Sequence, residues 1–314
     1  MLYINAFNDW KKDAEKRHTR NTQIIETSKG PVQYVLRGMT GPCIALNSGS
    51  PGGYDQALLM AADIDTSRFR LLAWSRPGYL GTPPDSGGSL SDQAEVLLAL
   101  MDALNIDQVI LHGASGGGPI SYYFAQHFPG RTVGLITECA ISYSHQLLGP
   151  PATRMFAALF LNNLGSYYLY RMATYHPEKA LKVLLSSSGK FTKAELTSIF
   201  GVLKESPAML QMTKDLVDSI SPMNKRKAGL DLDIKICEDL DNLFELELIQ
   251  VPTIIFHGEN DSDVPANHAR LAANKIPKAK LVMLQNTSHL IPLSGNYALY
   301  VEEKQTFLNQ FLNP

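Results

Sequence analysis

One serine in this chain stands in a setting suited to nucleophilic catalysis: Gly113-Ala114-Ser115-Gly116-Gly117, a Gly-x-Ser-x-Gly pattern. Three consecutive apolar residues, Val109, Ile110 and Leu111, precede it as a strand buried on both faces. Pro119 and the segment 120–128 follow as a helix that stops at Pro129-Gly130. Strand, tight turn and helix make a nucleophile elbow, in which the serine takes a strained backbone and its hydroxyl projects above the sheet edge. Gly113 and Gly117 are expected where any Cβ would strike the neighbouring strand or helix. Glycine-rich turns also begin phosphate-binding helices. This one lacks the lysine of a P-loop and the Gly-x-Gly-x-x-Gly spacing of a dinucleotide site.

A serine hydroxyl needs a base to take its proton, and the base needs an acid to orient it. Both follow later in the chain, in the order serine, acid, histidine. Strand 281–284 leads into Gln285-Asn286-Thr287-Ser288-His289, which places His289 just past a strand's carboxyl end. The other seven histidines fit worse: His18 falls in the arm, His257 and His112 in strands, and His127, His145, His176 and His268 on helices or in the insert. Strand 253–256 leads into His257-Gly258-Glu259-Asn260-Asp261-Ser262-Asp263. Asp261 is favoured as the acid over Glu259 and Asp263 because it lies mid-loop, past the turn at Gly258. Glu138, at the end of strand 132–137, is the competing position. An oxyanion needs two fixed donors, each worth about 3 kcal/mol in the transition state. The N–H of Gly116 is one, at a helix N-terminus whose dipole favours negative charge. The N–H of Ser50, in the turn Gly49-Ser50-Pro51-Gly52, is the other.

The elements that carry these residues alternate. Extended segments at 22–27 and 32–36 form an edge hairpin around Lys29-Gly30-Pro31. Then come strand 43–46, helix 55–62, strand 69–74, helix 91–104 and the elbow strand. Ala94, Leu97, Leu98, Met101 and Leu104 form one stripe at the helical period. Such alternation implies parallel strands with right-handed crossovers and helices on both faces, and a ligand beyond the strands' carboxyl ends. It breaks off over 144–248, a helical stretch whose aromatic and methionine side chains are expected mostly to form its own core. It resumes with a helix at 265–276 and a closing helix at 297–312. The expected organisation is an N-terminal polar arm (1–21), helical from about Asn8, an α/β core (22–143 and 249–314), and an all-helical cap insertion (144–248).

The totals exclude other classes. At 314 residues, 45% apolar, 18% charged and formal net charge -2, the chain is an ordinary globular one with no nucleic-acid partner implied. The basic triplet Lys225-Arg226-Lys227 is expected to be a solvated helix surface. Cys43, Cys139 and Cys237 are odd in number and lack paired spacing, which argues against a disulfide framework or a zinc site. The reading calls for no cofactor, no metal and no membrane partner. No signal-peptide core or spanning segment is seen, so a cytoplasmic location is the expectation.

On these residues the chain resembles serine hydrolases of the α/β-hydrolase fold superfamily with a helical cap, including esterase, lactonase and proline iminopeptidase branches. The motifs that carry the resemblance are Gly113–Gly117, Ser75-Arg76-Pro77-Gly78-Tyr79, Gly258-Glu259-Asn260-Asp261 with Val264-Pro265, and Ser288-His289. It implies nucleophile Ser115, acid Asp261 and base His289. One departure is Ser48-Gly49-Ser50-Pro51-Gly52, where many relatives have His-Gly-x-Pro-Gly. The backbone donor survives that change, but the hydrogen bonds of the histidine do not. The expected activity is hydrolysis of a small, largely uncharged ester or lactone through an acyl-enzyme on Ser115. The same triad also serves aminopeptidase-type or carbon–carbon bond hydrolysis, the former requiring inward carboxylates such as Glu178, Glu195 or Glu205. A ligand receptor built on an inactive hydrolase is a third class, disfavoured by the complete triad.

Overall fold

A computed structural model describes residues 2–149 and 151–312. Eight strands form one sheet: β1 (Gln23–Thr27), β2 (Gly30–Arg37), β3 (Cys43–Asn47), β4 (Arg70–Trp74), β5 (Val109–Ala114), β6 (Thr132–Glu138), β7 (Thr253–Gly258) and β8 (Ala279–Leu284). Their order across the sheet is β1-β2-β4-β3-β5-β6-β7-β8. The β1–β2 and β2–β4 pairs are antiparallel and the rest are parallel. The expected edge hairpin and α/β layering are therefore present. β5 is longer than its three apolar residues suggested, because His112 and Gly113 continue the ladder with β3 and β6.

Helices cover both faces, as the two-sided burial of the central strands demands. On one side lie α3 (Leu90–Ala103), α4 (Gly118–His127) and α11 (Asn267–Lys275), burying Leu97, Met101, Phe124 and Ala272 against the sheet. On the other lie α2 (Tyr54–Met60) and α12 (Tyr297–Asn309), with Ala57, Tyr300 and Leu308 in the core. α3 starts on a capping box between Ser89 and Asp92, which satisfies its first free N–H groups.

Between β6 and β7 the described residues form six α-helices: α5 (Pro151–Phe160), α6 (Asn163–Tyr175), α7 (Pro177–Ser188), α8 (Lys193–Leu203), α9 (Pro207–Ser219) and α10 (Lys227–Glu238). α5 to α9 share a separate apolar cluster around Leu169, Leu181, Leu185 and Val217, and Phe160, Tyr170 and Met172 pack against it, whereas α10 joins the core of the sheet through Ile236 and Cys237. Among the described residues, no helix is long and apolar enough to cross a membrane. The three cysteines are unpaired and buried.

Two expectations need correction. The N-terminal segment is not simply a polar arm: α1 spans Leu2–Arg17, with Trp10 and Ala14 buried. Phe7, Trp10 and Ala14 recur at helical spacing within a charged run, and Trp10 sits among Phe7, Tyr167 and Tyr170. Nor is the basic triplet solvated throughout. Lys225 and Lys227 are exposed, but Arg226 is fully buried at the turn before α10. Its guanidinium donates to Gly52 O at 2.6 Å and Ser221 O at 3.0 Å and forms a two-point pair with Asp55. Burying an arginine is tolerable only with such complete pairing.

Candidate active site

Register fixes where the loops emerge. Asn47 pairs with Gly113, Ala114 with Glu138, Glu138 with Phe256 and Gly258 with Leu284. The segments that follow, carrying Ser48–Gly53, Ser115, Asp261 and His289, therefore leave one edge of the sheet.

Ser115 occupies the left-handed region at φ 49°, and one 3-10 turn over Ser115–Gly117 joins β5 to α4. A non-glycine residue there carries strain that the surrounding contacts must hold. The two glycines explain how. A Cβ on Gly117 would lie 2.2 Å from Asn47 O, and one on Gly113 2.2 Å from Ser121 Oγ. The elbow is thus pressed between the end of β3 and the first turns of α4. Asn47 secures that contact by donating to Ser121 Oγ at 2.9 Å while accepting from Trp74 Nε1 at 2.9 Å.

His289 Nδ1 and Asp261 Oδ2 are 2.8 Å apart. Because the carboxylate accepts, the ring proton on this side is assigned to Nδ1, which leaves Nε2 available. Asp261 Oδ1 accepts the backbone N–H groups of Asp263 (2.8 Å) and Val264 (2.9 Å), so the loop itself aims the carboxylate. Burial by itself would raise the Asp261 pKa, but the neighbouring His289 and these hydrogen bonds hold it below the ordinary 3.8. Burial likewise works against a charged His289, yet the Asp261 carboxylate, with the Cys139 thiol beside the ring and the charge of Asp263, lifts it well above 6.5. A base must be neutral to act. The expected kcat/KM profile therefore rises with pH through one ionisation lying above the ordinary imidazole value. A flat profile from pH 5 to 8 would contradict this geometry.

Ser115 and His289 both line one cavity of ≈ 220 Å³. Among the described residues no hydrogen bond joins them. Catalytic contacts are commonly looser without substrate and tighten in the complex. The cavity wall is mostly apolar, with Leu59, Phe156, Leu184, Leu216, Leu230 and Leu290 among its residues.

Glu138, the competing acid, is occupied elsewhere. It is hydrogen-bonded by His112 Nε2 and Tyr300 Oη, and Lys304 Nζ lies 3.9 Å away. Burial pushes its pKa up, but His112 and Lys304 bring it below 4.5. It belongs to a network with His112, Tyr300 and Lys304 and not to the Asp261–His289 pair.

The loop Ser48–Gly53 folds tightly beside the elbow. Ser48 accepts the Gly53 N–H on its Oγ at 3.1 Å. A Cβ on Gly116 would lie 2.2 Å from Ser50 Oγ, so Ser50 and Gly116 are close neighbours. Three residues here escaped the sequence reading. Arg76, Tyr79 and Asp233 form a buried cluster beneath Ser50, with Arg76 pairing at 2.6 Å to each Asp233 oxygen. Arg76 and Tyr79 stood in a quoted motif, but nothing in the sequence joined them to Asp233, 157 positions from Arg76.

Among the described residues, Cys139, His257 and Asp261 place one possible metal-ligand atom each within 4.8 Å of one another. They are poorly disposed to hold an ion. Asp261 already serves His289 and two N–H groups, and His257 Nε2 donates to Val264 O at 2.8 Å.

Comparison with known proteins agrees with this architecture. The sequence model of the alpha/beta hydrolase fold matches residues 42–295. An alpha/beta hydrolase fold protein from Nakamurella multipartita superposes with TM-score 0.84 at 32% identity, covering 91% of this chain and 98% of that one. An uncharacterised hydrolase of Bacillus subtilis, YcgS, is 24% identical over 89% of this chain and 95% of its own length. The enol-lactonase of Burkholderia xenovorans shares the fold at TM-score 0.65 and 18% identity, over 91% of this chain and all of that one.

Proposed function

Because this chain belongs to the alpha/beta hydrolase fold family, we propose that it is a serine hydrolase cleaving a small, largely uncharged ester or lactone through an acyl-enzyme on Ser115. The observation that carries this reading is the Asp261–His289 pair at 2.8 Å opening into the same apolar cavity as the strained Ser115.

His289 Nε2 takes the Ser115 proton as Oγ attacks the carbonyl carbon. The oxyanion that forms is held by the N–H groups of Gly116 and Ser50, the first at the start of α4, where the helix dipole adds to the donor. Collapse expels the alkoxide, which leaves with the proton from the imidazolium. In a lactone the leaving oxygen stays attached to the acyl group. Water, deprotonated by His289, then attacks the acyl-enzyme and frees Ser115. Asp261 keeps Nδ1 protonated and offsets the imidazolium charge throughout.

The cavity argues for the substrate class. A small space to whose wall eight leucines and Phe156 contribute favours an uncharged acyl group and repels a solvated ion. The protein's named structural neighbours of this fold include an enol-lactonase. The aminopeptidase alternative gains nothing from the acids first considered for it. Glu195 closes the capping box of α8, Glu178 sits beside His176, and Glu205 beside Lys204, all away from the cavity wall. The two acids that do border the cavity are engaged, Asp263 with Thr153 and Glu138 with His112 and Tyr300.

A panel of p-nitrophenyl esters of increasing acyl length, run beside aminoacyl amides, tests the assignment. Short esters should be turned over with a pre-steady-state burst equal to the enzyme concentration. Preference for the aminoacyl amides, or ester turnover without any acyl-enzyme, would overturn it.

A further inference from the structure

We propose that Asp233, carried on the inserted helix α10, is a positioning residue for the oxyanion loop. The inference rests on the reading above, in which Ser50 and Gly116 supply the two donors.

The Asp233 carboxylate is 2% exposed and meets the loop from both sides of Ser50. Directly, its Oδ2 accepts the Ser50 hydroxyl and, at 2.6 Å, the Tyr79 hydroxyl. Indirectly, it holds Arg76 through two 2.6 Å contacts, and Arg76 Nη2 in turn donates to Ser48 O at 3.1 Å and Gly49 O at 3.4 Å. Side chain 50 and carbonyls 48 and 49 are thereby tied to one buried ion pair. The Ser50 peptide lies between these ties, so its N–H direction is set by them.

Pro51 fixes one backbone angle of this loop, but the glycines at 49, 52 and 53 leave the peptides around Ser50 free to turn unless they are tied. Nor does it have room for error: Ser50 Oγ would lie 2.2 Å from a Cβ on Gly116, and Asp233 Oδ2 3.6 Å from it. An oxyanion donor contributes only while it points at the developing charge, and a misplacement of about 1 Å is enough to cost on the order of 100-fold. α10 also touches the substrate space. Leu230, one turn before Asp233, borders the cavity. The inserted helices therefore shape the pocket and brace the catalytic loop with the same element.

The test is a double-mutant cycle with Ser50→Ala and Asp233→Asn, assayed on a short p-nitrophenyl ester. Ser50→Ala keeps the backbone N–H and leaves the Arg76–Asp233 pair intact, so it reports even where Asp233→Asn fails to fold. Each variant should lower kcat by about 10- to 100-fold with KM changed less than about threefold, and affinity for a boronic acid that mimics the tetrahedral state should fall in parallel. The double variant should be no worse than the poorer single one, because both remove the same tie. A purely structural role would lower thermal stability without the kcat-against-KM split, or give additive losses. The proposal falls if Ser50→Ala retains wild-type kcat and boronate affinity, or if the losses multiply. Its failure is distinguishable from failure of the parent reading. A Ser115→Ala variant that stays inactive while Ser50→Ala is unimpaired removes the clamp alone. Activity in Ser115→Ala removes both.

Discussion

Ser115→Ala should give a folded protein whose kcat on an ester is lower by on the order of 10⁶, equivalent to about 8 kcal/mol of lost transition-state stabilisation. The size follows from how the parts depend on one another. Without Oγ there is no acyl-enzyme, so His289 has no hydroxyl to activate, and the Ser50 and Gly116 donors are left to stabilise only the direct attack of water. Residual turnover over water would come from binding and the oxyanion donors alone. The fold should survive, because what holds the elbow is the packing of Gly113 and Gly117 and the Asn47–Ser121 contact, none of which involves the hydroxyl. Position 115 has φ 49°, and alanine tolerates that region no worse than serine by any large margin. Circular dichroism and thermal unfolding would verify the fold beside the kinetics. A variant with even a tenth of the parent's kcat would remove Ser115 from the mechanism.

Asp261→Asn should lower kcat by about 10⁴, whereas Glu138→Gln should leave it within about tenfold of the parent. An asparagine keeps the shape of the site but offers an N–H where the carboxylate accepted. The imidazole then holds its proton on the wrong nitrogen and its charge goes uncompensated. The pH profile gives an independent sign. Asp261 is what lifts His289 above 6.5, so its loss should move the acidic limb of kcat/KM to lower pH. Glu138 differs because its partners are His112, Tyr300 and Lys304. Its folded-state pKa is depressed, so its contribution to stability is present above 4.5 and lost as pH falls through that lower value. Glu138→Gln should therefore weaken stability at neutral pH and blunt the loss in acid, with little effect on turnover. The reverse pattern, an active Asp261→Asn and a dead Glu138→Gln, would transfer the orienting role to the strand-end acid.

The layered fold was legible because its signals are local and periodic. Apolar runs bounded by turn residues gave the strands, the stripe from Ala94 to Leu104 gave α3, and the glycines around Ser115 left room for one backbone only. The meeting of Asp261 and His289 was legible because each lies just past a strand whose order in the sheet follows from topology. What escaped was long-range pairing of charge. Arg226 read as solvated from its neighbours Lys225 and Lys227, yet its partners Asp55 and Gly52 lie more than 170 positions away. Asp233 is one of three acids on α10, with Asp231 and Glu238, and no local pattern marks which of them faces Arg76. Trp10 was hidden differently, in a charged segment whose apolar stripe is narrow and whose partners, Tyr167 and Tyr170, belong to the inserted helices. Burial of a polar group is a property of the assembled chain and leaves little trace in any window of sequence.

The central claim is that His289 makes the Ser115 hydroxyl nucleophilic, and covalent labelling tests it most directly. A fluorophosphonate reacts with a serine whose proton is being removed and scarcely at all with an ordinary hydroxyl. Peptide mass spectrometry after treatment of the intact protein should find one phosphonate per chain, on Ser115, and His289→Ala should slow its formation by several orders of magnitude. An adduct on another residue, or one that forms on Ser115 at the parent rate without the imidazole, would contradict the account.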